Sequence, residues 1–180
     1  MSTHAAILYQ HPISGNKSSK PREKTLNSGS ICFSGIYCHA DGYPEWVGRV
    51  LLENYTTPEK VLSLIQLGDL ESLGRTTEPE PKGYKSYEHI DPKDETNGLY
   101  TSAFSRDSGE KLNITIDGSY KEVLSKLCYE FAYLFKSNDS NDGNGSGGNG
   151  SGTWYILNKS GHWVILNETK IKYYQKQWGS

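Results

Sequence analysis

Gly35-Ile36-Tyr37-Cys38-His39-Ala40-Asp41-Gly42-Tyr43-Pro44-Glu45-Trp46-Val47-Gly48-Arg49 changes character half-way along, and that change decides the fold. The residues from Ile31 to His39 read as a strand. Asp41-Gly42 is a turn signal, because Asp bonds its own backbone and Gly accepts any φ. Pro44 suits the first turn of a helix, where an N–H has no partner to lose, and Glu45 complements the helix dipole there. Val47, Val50, Leu51 and Asn54 then recur at helical spacing, with Trp46 off that face and nearer the turn. Strand, turn and helix thus gather Tyr37, His39, Asp41, Tyr43, Glu45 and Trp46 into one corner.

Outward from this corner the chain keeps mixing the two periods. Ala5 to Gln10 reads as a strand pairing antiparallel with the second one across a polar connection. Thr57-Pro58 opens a helix with Val61, Leu64 and Ile65 on its buried stripe and Gly68 as its stop. Asp69 to Gly74 reads as one more helical turn capped by Asp69. Leu99 to Phe104 is expected to be a strand, Arg106 to Glu110 a charged turn, and Asn113 to Ile116 a short extended piece. Ser119 and Glu122 have the capping-box spacing for a helix over 120–127. Tyr129 to Phe135, Thr153 to Leu157 and Trp163 to Leu166 read as strands, and the aromatic tail from Lys170 to Trp178 as an edge strand or short helix. The sum is one α+β domain over 1–180: an antiparallel sheet of roughly five to six strands, with roughly two to three helices on one face. Flexible loops are expected at about 14–30, 75–97 and 137–152, from their Ser, Asn, Gly and Pro content.

Composition narrows the function classes. Net charge is −2, without a basic patch, so nucleic-acid binding is disfavoured. No apolar run approaches the ~18 residues of a membrane span, and the first residues lack the pattern of a secretory signal. Three cysteines, Cys32, Cys38 and Cys128, fit a reducing compartment and read as small apolar residues. Tyr outnumbers Phe by 13 to 4, which favours faces that are buried at one end and wet at the other.

Two stretches could carry chemistry. In the corner, His39, Asp41 and Glu45 could act as acid and base, although their spacing matches no metal-ligand motif. Arg106-Asp107 could hold a phosphate or a partner's carboxylate, and a composite site requires it to lie near the His39–Glu45 corner. No cofactor or metal is implied, and no complete catalytic signature occurs. Cys38 and His39, being adjacent on a strand, face opposite sides and make a poor nucleophile–base pair.

The run Gly35 to Gly48, the segment Leu51-Leu52-Glu53-Asn54-Tyr55 and the segment Leu64 to Gly74 resemble a set of small proteins encoded by bacteriophages and prophages. Ser105-Arg106-Asp107-Ser108-Gly109-Glu110 is similar to that set's second charged turn, and Tyr133-Leu134-Phe135 with Trp154-Tyr155-Ile156 to its closing hairpin. The resemblance implies a setting, the bacterial host cytoplasm, and no settled activity. The expectation is a non-enzymatic binding protein acting on a host target, with anti-defence inhibition as its role. Tyr37, His39, Asp41, Tyr43, Glu45, Trp46, Arg106 and Asp107 would form its surface. The alternatives are a sponge for a signalling nucleotide and a small hydrolase using His39 and Glu45. The partner would be a host protein or a small nucleotide, and the aromatic tail leaves room for a homodimer.

Overall fold

Strand β1 (Ala5–His11) lies antiparallel to β2 (Cys32–Cys38), as expected, with Ala5 opposite Cys38 and His11 opposite Cys32. The computed structural model describes residues 3–12, 31–82, 98–138 and 150–178. Ala5, Ala6, Ile7 and Leu8 are wholly buried. That continuous apolar run belongs to a strand covered on both faces. On its other side β1 pairs in parallel with β6 (Phe131–Ser137), which continues antiparallel to β7 (Gly152–Leu157) and then β8 (Trp163–Ile165).

Beyond β2 the sheet splits. β3 (Leu70–Ser72) runs parallel to β2 at Cys38 and pairs with β4 (Ser102–Ala103), while β5 (Thr115–Asp117) takes the other end of β2, opposite residues 33–35. The result is one mixed eight-stranded sheet in the order β4-β3-β2-β1-β6-β7-β8, with β5 beside β2. The α+β reading holds. The sheet has more strands than expected, and two of its pairings are parallel.

The helices occupy both faces, whereas the sequence suggested one. A π-helical turn (Pro44–Gly48) runs straight into α1 (Arg49–Asn54); with α2 (Pro58–Ile65) and α5 (Glu168–Trp178) it covers Ile7, Tyr9, Ile36, Cys38, Tyr133, Phe135 and Ile156. The opposite face carries Ala6, Leu8, Phe33, Ala132 and Leu134 under Val123 and Leu124 of α4 (Tyr120–Ser125). Apolar residues at both parities of β1 and β6 demand this second cover. Thr57 caps α2 as expected, accepting the Lys60 N–H at 3.4 Å, and Gly68 ends the segment at φ +73°.

Three local expectations fail for identifiable reasons. Leu70–Ser72 is a strand because Asp69 Oδ1 accepts the Tyr37 N–H at 2.8 Å, which draws the chain alongside β2. Only Ser102–Ala103 of the 99–104 segment is strand, and α3 (Phe104–Ser108) follows where a turn was expected. The tail resolves to a helix: Asn167 Oδ1 accepts the Lys170 N–H at 2.9 Å, and Ile171 and Tyr174, three residues apart, are buried together. Of the three expected loops, 14–30 lies outside the described residues, as do 83–97 and 139–149. Arg75 to Glu78 departs from the loose segment anticipated there. It forms a strap bonded to 98–101 through Arg75 N–H to Gly98 O at 2.9 Å, Thr76 N–H to Leu99 O at 2.9 Å and Thr101 N–H to Glu78 O at 3.1 Å.

Candidate functional site

Tyr37 pairs with Ala6, so it points to the α4 face of the sheet, beyond the part that α4 covers. There its hydroxyl meets two imidazoles. It lies 2.8 Å from Nδ1 of His39 and in hydrogen-bond contact with Nδ1 of His4. A phenol has one proton to give, so it donates to one ring and accepts the N–H of the other. The rings also touch. His4 stacks on Tyr37 at 5.5 Å between centroids, His39 stands edge-on to His4 at 5.0 Å, and Phe104 of α3 stands edge-on to His39 at 6.4 Å. His39 is exposed and Phe104 half-buried. Burial pushes the Tyr37 phenol above its ordinary range, and negative charge at Cys128, Cys38, Glu130 and Asp69 adds to the effect. Tyr37 therefore stays a neutral hydroxyl at neutral pH.

The platform is rigidly mounted. The His4 N–H donates to Glu130 Oε2 at 2.5 Å, and the His4 carbonyl accepts the N–H groups of Glu130 and Phe131 at 3.0 and 3.3 Å. Asp69 holds the Tyr37 N–H with Oδ1 and takes the Asn113 side-chain amide on Oδ2 at 2.6 Å. The His39 and Ala40 N–H groups donate to Leu70 and Glu71 carbonyls, each at 2.9 Å. The supports come from β3 and the residue before it, from the start of β6 and from Asn113, so the rings are fixed by the fold rather than by one loop.

The bend itself falls where the sequence put it. Asp41 adopts φ +55°, and Gly42 packs directly on the His4 backbone. A Cβ on Gly42 would stand 2.6 Å from the His4 carbonyl carbon. The Gly42 N–H donates to Thr3 O at 2.7 Å, and the buried Tyr133 hydroxyl donates to Gly42 O at 2.9 Å. Its side chains separate. Asp41 is exposed and Tyr43 is 37% exposed. Burial raises the Tyr43 phenol, and Asp41, which it bonds, raises it further. Trp46 turns inward, its Nε1 donating to Leu73 O at 3.2 Å, and packs against the apolar core. Glu45 is half-buried, and its charge acts on the Tyr43 and Tyr133 phenols.

Arg106 and Asp107 form a clasp. Nε and Nη2 of Arg106 grip the two Asp107 oxygens at 2.7 and 2.8 Å, while Nη1 donates to Thr77 O at 2.6 Å and Nη2 also to Thr101 O at 2.5 Å. Asp107 Oδ2 accepts the Ala103 N–H at 2.8 Å. Its carboxyl is held below the usual range, first by the Arg106 hydrogen bonds; burial opposes them, and the Ala103 N–H and the guanidinium charge add to the lowering. The guanidinium joins the strap to the strand that follows. The contact with the corner comes from outside the Arg106–Glu110 stretch: Phe104, two residues before Arg106, stands against His39.

His4, Asp69, Phe104, Asn113 and Glu130 joined the site without a sequence signal, since each is brought in by pairing of distant segments. Among the described residues no three His, Cys, Asp or Glu side chains gather as metal ligands. Cys38 is buried and its thiol is pushed up to about 12 by burial, so it is inert at neutral pH. Cys32 is half-buried and Cys128 exposed, and both are free thiols. Among the described residues no helix is long and apolar enough to cross a membrane. No family model, no curated protein and no solved structure matches this chain.

Proposed function

We propose that this is a phage-encoded, non-enzymatic binding protein that acts on a host target in the bacterial cytoplasm, with inhibition of a defence system as its role. The single observation carrying this reading is the aromatic platform of His4, Tyr37, His39 and Phe104, with His39 exposed, the other three rings half-buried, and hydrogen bonds bracing it. Rigid amphipathic rings with polar edges are the side chains that dominate binding hot spots. Exposed Asp41 and Tyr43 on the neighbouring bend supply a polar rim. Trp46, Arg106 and Asp107 act as supports, and Glu45 stands beside the Tyr43 ring.

Hydrolysis by His39 and Glu45 is the weaker reading. Nδ1 of His39 is taken up by Tyr37, and the Glu45 charge bears on two phenols rather than on a base. Affinity capture from bacterial extract with the tagged protein, quantified by mass spectrometry, tests the proposal. A host protein held by the native chain should be lost with His39→Ala or Tyr43→Ala while circular dichroism stays unchanged. A partner retained by both folded variants contradicts it.

A further inference from the structure

The two ends of the strand order are finished differently. At the β4 end the clasp caps the backbone: Asp107 Oδ2 accepts the Ala103 N–H, and Arg106 Nη2 donates to Thr101 O. At the other end β8 has a neighbour, β7, on one side alone. Trp163-Val164-Ile165-Leu166 carries no charge and no proline, the devices that usually blunt an edge. Ile165 is 54% exposed there.

The direction of the β8 backbone follows from its pairing. The Asn158 N–H donates to His162 O and the Leu166 N–H to Trp154 O, each at 2.9 Å. Bonded pairs in an antiparallel ladder recur at every second residue, so Val164 is the residue of β8 bonded to β7, through Ile156. The N–H and C=O groups of Trp163 and Ile165 therefore point away from β7. Among the described residues no hydrogen bond takes them up. Their side chains lie on the α4 face, where Trp163 stands edge-on to Tyr120 at 5.6 Å and Ile165 is opposite Tyr155. Val164 lies on the other face, against the larger core.

We propose that the β8 edge is a homodimer interface, in which a second copy of this chain adds its own β8 antiparallel about a two-fold axis at Val164. The edge is complementary to itself. Its outward donors and acceptors sit two residues apart, on Trp163 and Ile165, which is the spacing of a bonded antiparallel pair. The two-fold axis sets Trp163 of each copy opposite Ile165 of the other, and every partial positive N–H meets a partial negative C=O. Four backbone hydrogen bonds form and no charge is buried. On the α4 face each indole then covers the exposed Ile165 of the other copy, an aromatic–β-branched pair of the kind that stabilises sheets. Across the axis the two Val164 side chains meet on the other face. An interface of three residues a side buries far less than the ~1,200–2,000 Å² of a standard complex, so the association is weak and set by concentration.

The test is sedimentation equilibrium of the full chain from micromolar to millimolar concentration, with ¹⁵N spectra over the same range. The expected mass rises from the 20.1 kDa of one chain toward twice that value. The Trp163 and Ile165 amide signals should shift with it. So should the Trp163 indole signal, whose N–H is buried beside the edge without an acceptor among the described residues. Ile165→Pro removes an outward N–H and leaves the β7 bonds alone, and Ile165→Lys puts a charge on the edge. Each, folded by circular dichroism, should weaken dimerisation about tenfold or more, because a two-fold contact loses every interaction twice. His39→Ala should leave it untouched, which separates this edge from the platform. The mass of one chain at millimolar concentration, or a dimer held at full strength by either folded Ile165 variant, overturns the proposal.

Discussion

The Tyr37–His39 platform and the Arg106–Asp107 clasp are both built from polar and charged residues at the ends of short elements, yet the fold uses them in opposite ways. In the clasp each donor is turned inward onto a carbonyl or a carboxylate of the chain itself. In the platform the internal bonds hold the rings in place and leave the His39 edge and the neighbouring Tyr43 toward solvent, with Phe104 half-buried beside them. Residue type alone therefore does not separate a binding surface from a brace. The direction in which the polar atoms are satisfied does.

The largest expected effect is alkaline loss of the fold, which contrasts the half-exposed Tyr37 with the groups sealed beneath the bend. Burial raises Cys38 from 9.0 to about 12 and Tyr55 from 10.0 to about 12, and raises Tyr133 well above its ordinary value. The folded state then holds protons that the unfolded chain has released, so stability falls with rising pH. The contribution is complete below about pH 9 and is lost progressively toward about pH 12. Urea midpoints should decline steadily across that window, and Cys38→Ala should flatten the first part of the decline.

Gly42→Ala comes next. The new methyl would meet the His4 backbone, which has little freedom to move, and the overpacking should cost about 3 kcal/mol in a urea titration. Because the same contact seats His4, this variant should also loosen the platform, read as faster exchange of the Phe131 amide.

Arg106→Ala should cost less, about 1 kcal/mol, since the clasp is partly wet and surface ion pairs are weak. Its mark should be local: faster hydrogen exchange at Thr76 and Thr101, with partner capture unchanged. Asp107 sharpens the same point. Its folded pKa is depressed, so its contribution is present above the unfolded value near 3.8 and is lost as pH falls through the folded one. Exchange at Thr101 should therefore accelerate below about pH 4 in the native chain and lose that dependence in Asp107→Asn.

Much of the scaffold was legible because local signals and tertiary structure agree. The β1–β2 pairing, the turn at Asp41-Gly42, the Thr57 cap and the Gly68 stop all follow from residue type and spacing, although the positive φ falls on Asp41 rather than on Gly42. The failures share a cause. Leu70–Ser72 is held extended by Asp69 reaching across to β2, and α3 begins where Ala103 leaves β4, neither of which short-range pattern can reveal. The second helical face was visible only as unbroken apolar runs in β1 and β6, a pattern that signals burial without naming the cover. At the site, Tyr37 and His39 declared themselves by strand parity, whereas His4 lies just ahead of the first strand and Phe104 reads as the end of a strand.

The smallest effect on stability belongs to the platform's outer ring. His39→Ala should change stability by no more than about 0.5 kcal/mol, because its side chain lies on the surface.

The most direct test of the account pairs His39→Ala with Arg106→Ala and measures, for each, the thermal midpoint and the amount of host partner captured from bacterial extract. His39→Ala should keep the midpoint and lose the partner, and Arg106→Ala should lower the midpoint and keep the partner. The reverse pattern, with the partner retained by His39→Ala and released by a still-folded Arg106→Ala, would contradict the assignment of platform and clasp.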